Sequence, residues 1–197
     1  MKNEIIFVSG QRGSGKTTWI KSHLRDLNRY LLYDTLGEYE APTRFLDIES
    51  LLEYCKAKRE GFFEVVFDPP NDEDFPVFCR IALAVRRIYV VIEEMDLFSK
   101  PSETPIELQR LIKYGRHYEI NIIGVSRRPA EVSRLFTSQA TRFILFKQIE
   151  PRDIAYFRSI IGPQAEILPG FDLYDFLDID FSKTPSSALQ PQRLPAP

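Results

Sequence analysis

A short apolar run, a glycine-rich loop and an amphipathic segment, in that order, constrain this chain more than any other feature. The stretch FVSGQRGSGKTTWI covers residues 7–20, and its apolar start predicts a buried strand over residues 4–9. After the loop, Ile20, Leu24 and Leu27 recur at helical spacing, so a helix is predicted there. A loop with few side chains that ends at a helix N-terminus is suited to binding a phosphate group.

The loop matches the pattern G-x-x-x-x-G-K-[ST], with Gly10, Gly15, Lys16 and Thr17 at its defined positions. Glycine lets backbone N–H groups wrap around a phosphate in conformations that are closed to other residues. Lys16 is predicted to neutralise the β and γ oxygens, and the Thr17 hydroxyl to ligate Mg²⁺. The predicted ligands are therefore ATP and Mg²⁺. The predicted nucleotide-binding residues are Gly10, Gln11, Arg12, Gly13, Ser14, Gly15, Lys16, Thr17 and Thr18.

Two acids end the most strand-like run of the chain. RIYVVIEEMDLF, residues 87–98, supplies a strand over 88–94 and then Glu93 and Glu94. In P-loop ATPases such a strand usually ends Asp-Glu, where the first acid holds the metal and the second activates water. By position Glu93 is predicted to hold the metal and Glu94 to act as catalytic base. A glutamate at the first place is a departure, because it is one methylene longer.

The rest of the chain alternates between apolar runs and segments of helical period. This alternation predicts an α/β fold with a mostly parallel sheet covered by helices on both faces. A small β addition is expected within residues 166–181, at the sheet edge. The other predicted strands cover residues 30–34, 62–68, 120–126 and 142–147, and the other predicted helices begin near residues 48, 72, 105, 129 and 151.

Two local patterns refine this organisation. Thr104, Pro105 and Glu107 match a capping box with proline at the first helical position. Residues 182–197 contain several prolines and scattered apolar residues, so they are predicted to form a tail outside the core. The predicted organisation is one ATPase domain over residues 1–181 followed by that tail.

Composition limits the possible partners. The chain has 26 basic and 28 acidic residues and a formal net charge of −2, so a protein that coats nucleic acid over its whole surface is not expected. DNA contact would need a local patch, such as residues 56–60 or Arg86 and Arg87, or several subunits acting together. No run has membrane-spanning length and the start lacks a signal-peptide pattern. Cys55 and Cys79 are expected to be reduced core residues.

The order of the motifs resembles that of the FtsK/HerA superfamily. The phosphate loop, YDTLGEYE (33–40), the Glu-Glu strand and GRHYEINIIGVSRRPAEVSRLFTSQATRFILFK (115–147) carry the resemblance. They are most similar to the genome-packaging ATPases of membrane-containing icosahedral viruses, over residues 3–180. The resemblance implies a P-loop NTPase core of the RecA-like, additional-strand (ASCE) type that forms a ring and pumps double-stranded DNA.

The resemblance also carries over individual positions. Asp34, Gly37 and Glu38 match the second-strand element, whose chemical role the sequence leaves open. Arg127 occupies the place of a sensor that is commonly glutamine, where a guanidinium could bind a phosphate oxygen. Arg116 fits the place of an arginine supplied to a neighbouring subunit's site. The alternative for Arg116 is a cation that stabilises a helix C-terminus.

The sequence therefore predicts an ATP-hydrolysing double-stranded DNA translocase, most consistent with a viral genome-packaging motor subunit. It would act as a ring, a hexamer or pentamer, in the host cytoplasm or at the packaging vertex. Its tail would be available to a capsid or membrane protein at that vertex. Two alternatives remain open: a small-molecule or nucleotide kinase, and a non-hydrolysing, nucleotide-gated assembly protein.

Overall fold

In the residues that the structure describes, nine strands form one mixed, mostly parallel sheet. The computed structural model describes residues 4–58, 60–183 and 190–195. The strands are β1 (Ile5–Ser9), β2 (Arg29–Tyr33), β3 (Thr43–Phe45), β4 (Phe63–Phe67), β5 (Tyr89–Ile92), β6 (Asn121–Ser126), β7 (Arg142–Phe146), β8 (Asp175–Asp180) and β9 (Gln192–Arg193).

Helices connect most of these strands. The α-helices are α1 (Lys16–Arg25), α2 (Ile48–Ala57), α3 (Phe75–Val85), α4 (Met95–Phe98), α5 (Ile106–Tyr114), α6 (Arg134–Thr137) and α7 (Pro151–Ile161). Within the described ranges, Gly115–Tyr118, Pro129–Glu131 and Gly162–Gly170 form 3₁₀ helices. None of the helices in the described ranges combines the length and apolar character that a membrane span requires.

The strand order is β3-β4-β2-β5-β6-β1-β7-β8-β9. All pairs from β3 to β7 are parallel, and β8 and β9 add to the edge in antiparallel orientation. One strand, β6, therefore lies between β1 and β5, the strands that lead into the phosphate loop and the Glu-Glu pair. This is the predicted additional-strand arrangement, and it brings the carboxyl ends of β1, β5 and β6 to one edge.

The two faces of the sheet are covered unequally. Among the described helices, α1 alone packs on one face, where Trp19, Ile20 and Leu24 meet strand residues such as Ile6 and Val8. The other helices bury their apolar sides in the larger core on the opposite face, which also holds Cys55 and Cys79 as free thiols. The prediction of an α/β fold with helices on both faces is confirmed, although only one of the described helices, α1, covers one of the two faces.

The predicted capping box is wrong. Helix α5 begins at Ile106, after Pro105, and it has no side-chain cap. The hydroxyl of Thr104 instead donates to the carbonyl of Lys100, because Lys100 and Glu103 exchange backbone hydrogen bonds and turn the chain back before the helix. The local pattern was present, but the preceding turn provided a competing acceptor.

Other departures concern short elements. The helix predicted near Pro129 is only a 3₁₀ turn followed by the one-turn helix α6, and β3 and α4 were not predicted. The predicted C-terminal β addition is confirmed as β8, while Gly162–Gly170 before it is helical. The tail over 182–197 stays a prediction, since 184–189 and 196–197 lie outside the described residues; within it, Gln192–Arg193 pair with β8.

Candidate active site

The glycine-rich loop between β1 and α1 forms a tight cradle at the carboxyl edge of the sheet. A Cβ atom at Gly10 would lie 2.5 Å from the Cβ atom of Phe146, so only glycine allows this approach. Gly15 has a φ of +112°, a left-handed conformation, and directly precedes the first residue of α1. The helix therefore points its N-terminal N–H groups into the cradle, as anion binding requires.

Lys16 lies over the cradle. Its Nζ donates hydrogen bonds to the carbonyl oxygens of Gly10 at 2.8 Å and Gln11 at 3.1 Å. Burial lowers the pKa of Lys16, and the nearby charges of Glu93 and Glu94 oppose that shift. The ammonium is thus held at the loop by two neutral carbonyl oxygens. A negatively charged phosphate oxygen could take their place as a stronger acceptor.

Glu93 and Glu94 follow β5 and differ sharply in environment. Glu93 is 7% exposed, and its carboxylate accepts a hydrogen bond from the hydroxyl of Tyr39. Burial raises the pKa of Glu93 to about 7, while the Tyr39 hydrogen bond and the Lys16 charge partly offset the rise. Glu94 has a φ of +49°, and this left-handed turn sends the chain away from the strand.

Glu94 is paired with the predicted sensor residue. Two of the three guanidinium nitrogens of Arg127, Nη2 at 2.5 Å and Nε at 3.3 Å, donate to the two oxygens of the Glu94 carboxylate. This hydrogen bonding raises the pKa of Arg127. The structure thus brings the predicted base and the predicted sensor into direct contact, at the ends of the neighbouring strands β5 and β6.

The D-x-x-G-E-Y element forms a loop that the Asp34 carboxylate holds together. This fully buried side chain accepts hydrogen bonds from the backbone N–H groups of Leu36 at 3.3 Å, Glu38 at 3.1 Å and Tyr39 at 2.9 Å. Gly37 permits the turn with a φ of +66°. The Asp34 carboxylate thus fixes the backbone positions of Glu38 and Tyr39 within the element.

Those two side chains reach different parts of the site. Oε2 of Glu38 accepts a hydrogen bond from the Thr17 hydroxyl at 2.9 Å, and the hydroxyl of Tyr39 contacts Glu93 as described above. Glu38 and Tyr39 are therefore site residues that sequence reasoning did not assign. Their position in a matched motif was the available signal, but the contacts with Thr17 and Glu93 depend on where the sheet places β2 relative to the phosphate loop and β5.

The residues present suit a magnesium ion. The hydroxyl of Thr17 and the carboxylates of Glu38 and Glu93 are hard oxygen donors of the type that Mg²⁺ prefers. In the described part of the chain no group of three or more His, Cys, Asp or Glu side chains forms a ready metal cage. Mg²⁺ bound to nucleotide needs no such cage, because one or two side chains suffice beside phosphate oxygens and water.

A second cluster continues from the cradle past Arg127. A cavity of about 450 Å³ is bordered by Gln11, Arg12, Glu94, Asp96, Arg127 and Gln148, among other residues. Asp96, which borders the cavity, accepts a hydrogen bond at 2.5 Å from the hydroxyl of the buried Ser126, which itself accepts from the backbone N–H of Arg128. The predicted nucleotide-binding residue Arg12 is exposed and borders this cavity.

Arg116 lies far from this cluster in the fold. It is exposed on the 3₁₀ turn after α5 and borders a cavity with Ile5 and Ile122, near the starts of β1 and β6. That is the amino edge of the parallel strands, opposite the cradle. Within one chain Arg116 is therefore outside the candidate site, and its role towards a neighbouring subunit stays a prediction.

The sequence matches no protein-family model and no curated protein. Solved structures do share the fold. The genome packaging NTPase B204 from Sulfolobus turreted icosahedral virus 2, in complex with ATP-gammaS, is 19% identical, with 97% of each chain covered and a TM-score of 0.78.

Two further solved structures also share this fold. The DNA-packaging ATPase B204 from Sulfolobus turreted icosahedral virus is 20% identical over the whole of both chains, with a TM-score of 0.77. VirB4 of Thermoanaerobacter pseudethanolicus is 11% identical, covering 100% of this chain and 90% of its own, with a TM-score of 0.67. The predicted resemblance to genome-packaging ATPases is confirmed at the level of the fold.

Proposed function

We infer that this chain hydrolyses ATP and couples hydrolysis to translocation of double-stranded DNA, as a subunit of a viral genome-packaging motor. The packaging proteins B204 share its fold over nearly the whole chain. The observation that carries the proposal is the convergence of Lys16, Glu93, Glu94 and Arg127 at the carboxyl edge of the sheet, where Lys16 bonds to the loop carbonyls and Arg127 pairs with Glu94.

The chemistry follows from which groups meet the triphosphate. Backbone N–H groups of the cradle and the ammonium of Lys16 bind the phosphate oxygens, which positions the terminal phosphorus towards β5 and β6. Mg²⁺, held by Thr17 with Glu93 or Glu38, would neutralise charge on the β and γ oxygens. Glu94 then accepts a proton from the attacking water, as a general base.

The contact between Glu94 and Arg127 implies a switch in this reaction. A carboxylate that accepts two hydrogen bonds from a guanidinium is a poor base, because its lone pairs are engaged. A γ-phosphate offers Arg127 an alternative bidentate acceptor. Transfer of the guanidinium from Glu94 to the phosphate would release the base and place positive charge on the transferring group.

Coupling to DNA requires more than one chain. With a net charge of −2, a single subunit attracts DNA weakly, so contacts summed around a ring of six or five copies would be needed. Arg116 would then reach a neighbour's γ-phosphate. Such a motor would work in the host cytoplasm and at the packaging vertex, where the C-terminal tail could meet a capsid or membrane protein.

A second candidate function is a nucleotide-gated assembly protein that binds ATP without turnover. The pairing of Glu94 with Arg127 favours it, because a permanently engaged base would leave the triphosphate intact. In that case nucleotide binding would change the assembly state alone. The two candidates share the cradle and differ in whether Glu94 becomes free.

Steady-state ATPase assays with and without duplex DNA separate the two. The motor predicts measurable turnover that duplex DNA stimulates, and Lys16→Ala should abolish both nucleotide binding and turnover. The variant's melting temperature controls for folding, since Lys16 also bonds to the loop carbonyls. Tight ATP binding with no turnover, with or without DNA, would contradict the motor and support the assembly protein.

A further inference from the structure

An aromatic side chain from the C-terminal edge of the sheet lies against the phosphate cradle. A Cβ atom at Gly15 would lie 2.9 Å from Cδ1 of Tyr174 and 3.3 Å from Cε1 of Phe146. The backbone N–H of Tyr174 also donates to the carbonyl of Ser14 at 3.2 Å. Tyr174 is half-buried and takes no part in the reaction chemistry proposed above.

The two flanks of the cradle differ in chemistry. On one side of β1 lie β6 and β5, whose carboxyl ends carry Arg127, Glu93 and Glu94. On the other side lie β7 and the antiparallel β8, and Tyr174 immediately precedes β8. If the γ-phosphate lies by the acids, as the proposed function requires, the nucleoside at the other end of the triphosphate lies on the Tyr174 side.

The backbone of Tyr174 is held in a costly conformation. Its φ is +73°, in the left-handed region that disfavours residues with a Cβ. Glycine or asparagine would adopt this conformation more easily. A bulky aromatic residue in such a position indicates that the ring has a use beyond the turn itself.

The C-terminal strand fixes this turn in place. β9 pairs with the start of β8, and the N–H of Leu194 donates to the carbonyl of Tyr174 at 3.0 Å. Arg193 forms ion pairs with Asp175 at 2.6 Å and Asp172 at 3.4 Å, on the two sides of Tyr174 in sequence. The side chain of Leu194 packs against the core on the α1 face.

We propose that Tyr174, positioned by the C-terminal strand, is the nucleoside-binding wall of the site, and that the base of ATP stacks on its ring. This proposal rests on the proposed function, because it assigns the opposite end of the same nucleotide. The C-terminal segment predicted to be a tail outside the core would thus contribute to ATP binding. Aromatic rings are effective platforms for bases, since every base presents a π-face.

The test compares ATP with inorganic tripolyphosphate, which fills the cradle but has no nucleoside. Calorimetric affinities in Mg²⁺ are measured for the wild-type chain, Tyr174→Gly and Tyr174→Phe. Tyr174→Gly removes the ring and relieves the left-handed strain, so folding should be preserved. We expect it to bind ATP about tenfold more weakly and tripolyphosphate unchanged, while Tyr174→Phe retains the wild-type affinity for both.

The positioning role of the C-terminal strand is tested with Arg193→Ala. Its ion pairs are exposed, and Arg158→Ala, which removes an exposed ion pair to Glu166, is the matched control. Arg193→Ala should weaken binding of ATP but not of tripolyphosphate, and Arg158→Ala should change neither.

Equal affinity of wild type and Tyr174→Gly for ATP would overturn the inference and leave the proposed function intact. A parallel loss for ATP and tripolyphosphate would also overturn it, because Tyr174 would then support the loop and not the base. If the wild-type chain bound neither ligand, the proposed function itself would fail, and this inference with it.

Discussion

The guanidinium of Arg127 and the carboxylate of Glu94 form a two-point hydrogen-bonded pair, with contacts at 2.5 and 3.3 Å, across the ends of two adjacent strands. They are 33 residues apart in sequence. The pair joins the predicted base to the predicted sensor. The proposed mechanism would therefore link binding of a γ-phosphate to activation of water through the side chain of Arg127.

Arg127→Ala tests that link. We expect kcat to fall by about two orders of magnitude or more, because the transition state loses a positive charge, while the affinity for ATP changes only a few-fold. Arg127→Lys keeps the charge but loses the two-point contact, so its kcat should lie between those of the wild type and Arg127→Ala. Steady-state ATPase kinetics measure kcat and nucleotide titrations measure the affinity, and an unchanged kcat in Arg127→Ala would remove Arg127 from the mechanism.

Glu38→Gln tests the contact with Thr17. The substitution keeps a hydrogen-bond acceptor for the Thr17 hydroxyl but removes the negative charge beside it. We therefore expect the Mg²⁺ concentration for half-maximal nucleotide binding to rise about tenfold, as a carboxylate is lost from the metal's surroundings. Binding of nucleotide without Mg²⁺ should not weaken.

The matched control is Glu40→Gln, two residues further on and exposed, which should leave the Mg²⁺ requirement unchanged. A titration of fluorescent nucleotide against Mg²⁺ measures both variants. Identical Mg²⁺ curves for Glu38→Gln and the wild type would exclude Glu38 from the metal site.

Glu93 predicts a pH dependence of stability in the protein without nucleotide. Burial raises its pKa to about 7, above the ordinary value of 4.5. A carboxyl with a raised pKa in the folded state binds its proton more tightly there, so its contribution to stability is present at low pH. That contribution is lost as the pH rises from about 4.5 through about 7.

Glu93→Gln removes this titration and keeps a neutral side chain for Tyr39 to contact. The melting temperature of the variant minus that of the wild type should therefore grow between pH 4.5 and 7 and level off above it. Thermal melts across this range measure the difference, in which the titrations of unchanged groups largely cancel. A difference that did not vary with pH would contradict the assigned environment of Glu93.

Among the candidate DNA-contacting residues, Arg86 and Arg87 stand out by their positive backbone φ angles. They are consecutive, exposed residues with φ values of +60° and +49°, at the amino edge of the sheet. Replacing both with glycine relieves the strained backbone and removes two cations. We expect weaker DNA binding and a smaller slope of log affinity against log salt.

Arg152→Ala, an exposed arginine at the start of α7 on the opposite edge, is the control and should leave DNA affinity and salt slope unchanged. Fluorescence anisotropy with labelled duplex across a salt series gives both quantities. Equal effects of the two variants would indicate general electrostatics and exclude a DNA contact specific to the amino edge.

Features whose residues are close in sequence could be predicted. Local periodicity and glycine placement predicted the strand, loop and helix around Lys16. They also predicted the strand that ends at the two acids, β5. Contacts such as Glu38 with Thr17 depend on which strands become neighbours, so the motif was visible but its role was not. The capping box at Thr104 failed because a nearby carbonyl accepted its hydrogen bond.

The C-terminal strand β9 could not be predicted from the sequence, for a different reason. Two paired residues, Gln192 and Arg193, are too short to carry a periodic signal, and their proline-rich surroundings indicated a tail. Their place is set by ion pairs and backbone hydrogen bonds to the turn before β8. Such contacts follow from the assembled sheet, which no local pattern reveals.

In the proposed mechanism Glu94 is the group that activates water against a triphosphate held by the loop. The most direct test is the single-turnover hydrolysis rate of ATP bound to Glu94→Gln, at saturating Mg²⁺ and nucleotide. We predict undiminished ATP binding and a rate lower by about 10² to 10⁴ than that of the wild type, the usual contribution of a general base. A rate within about threefold of the wild type would contradict this assignment and the motor mechanism built on it.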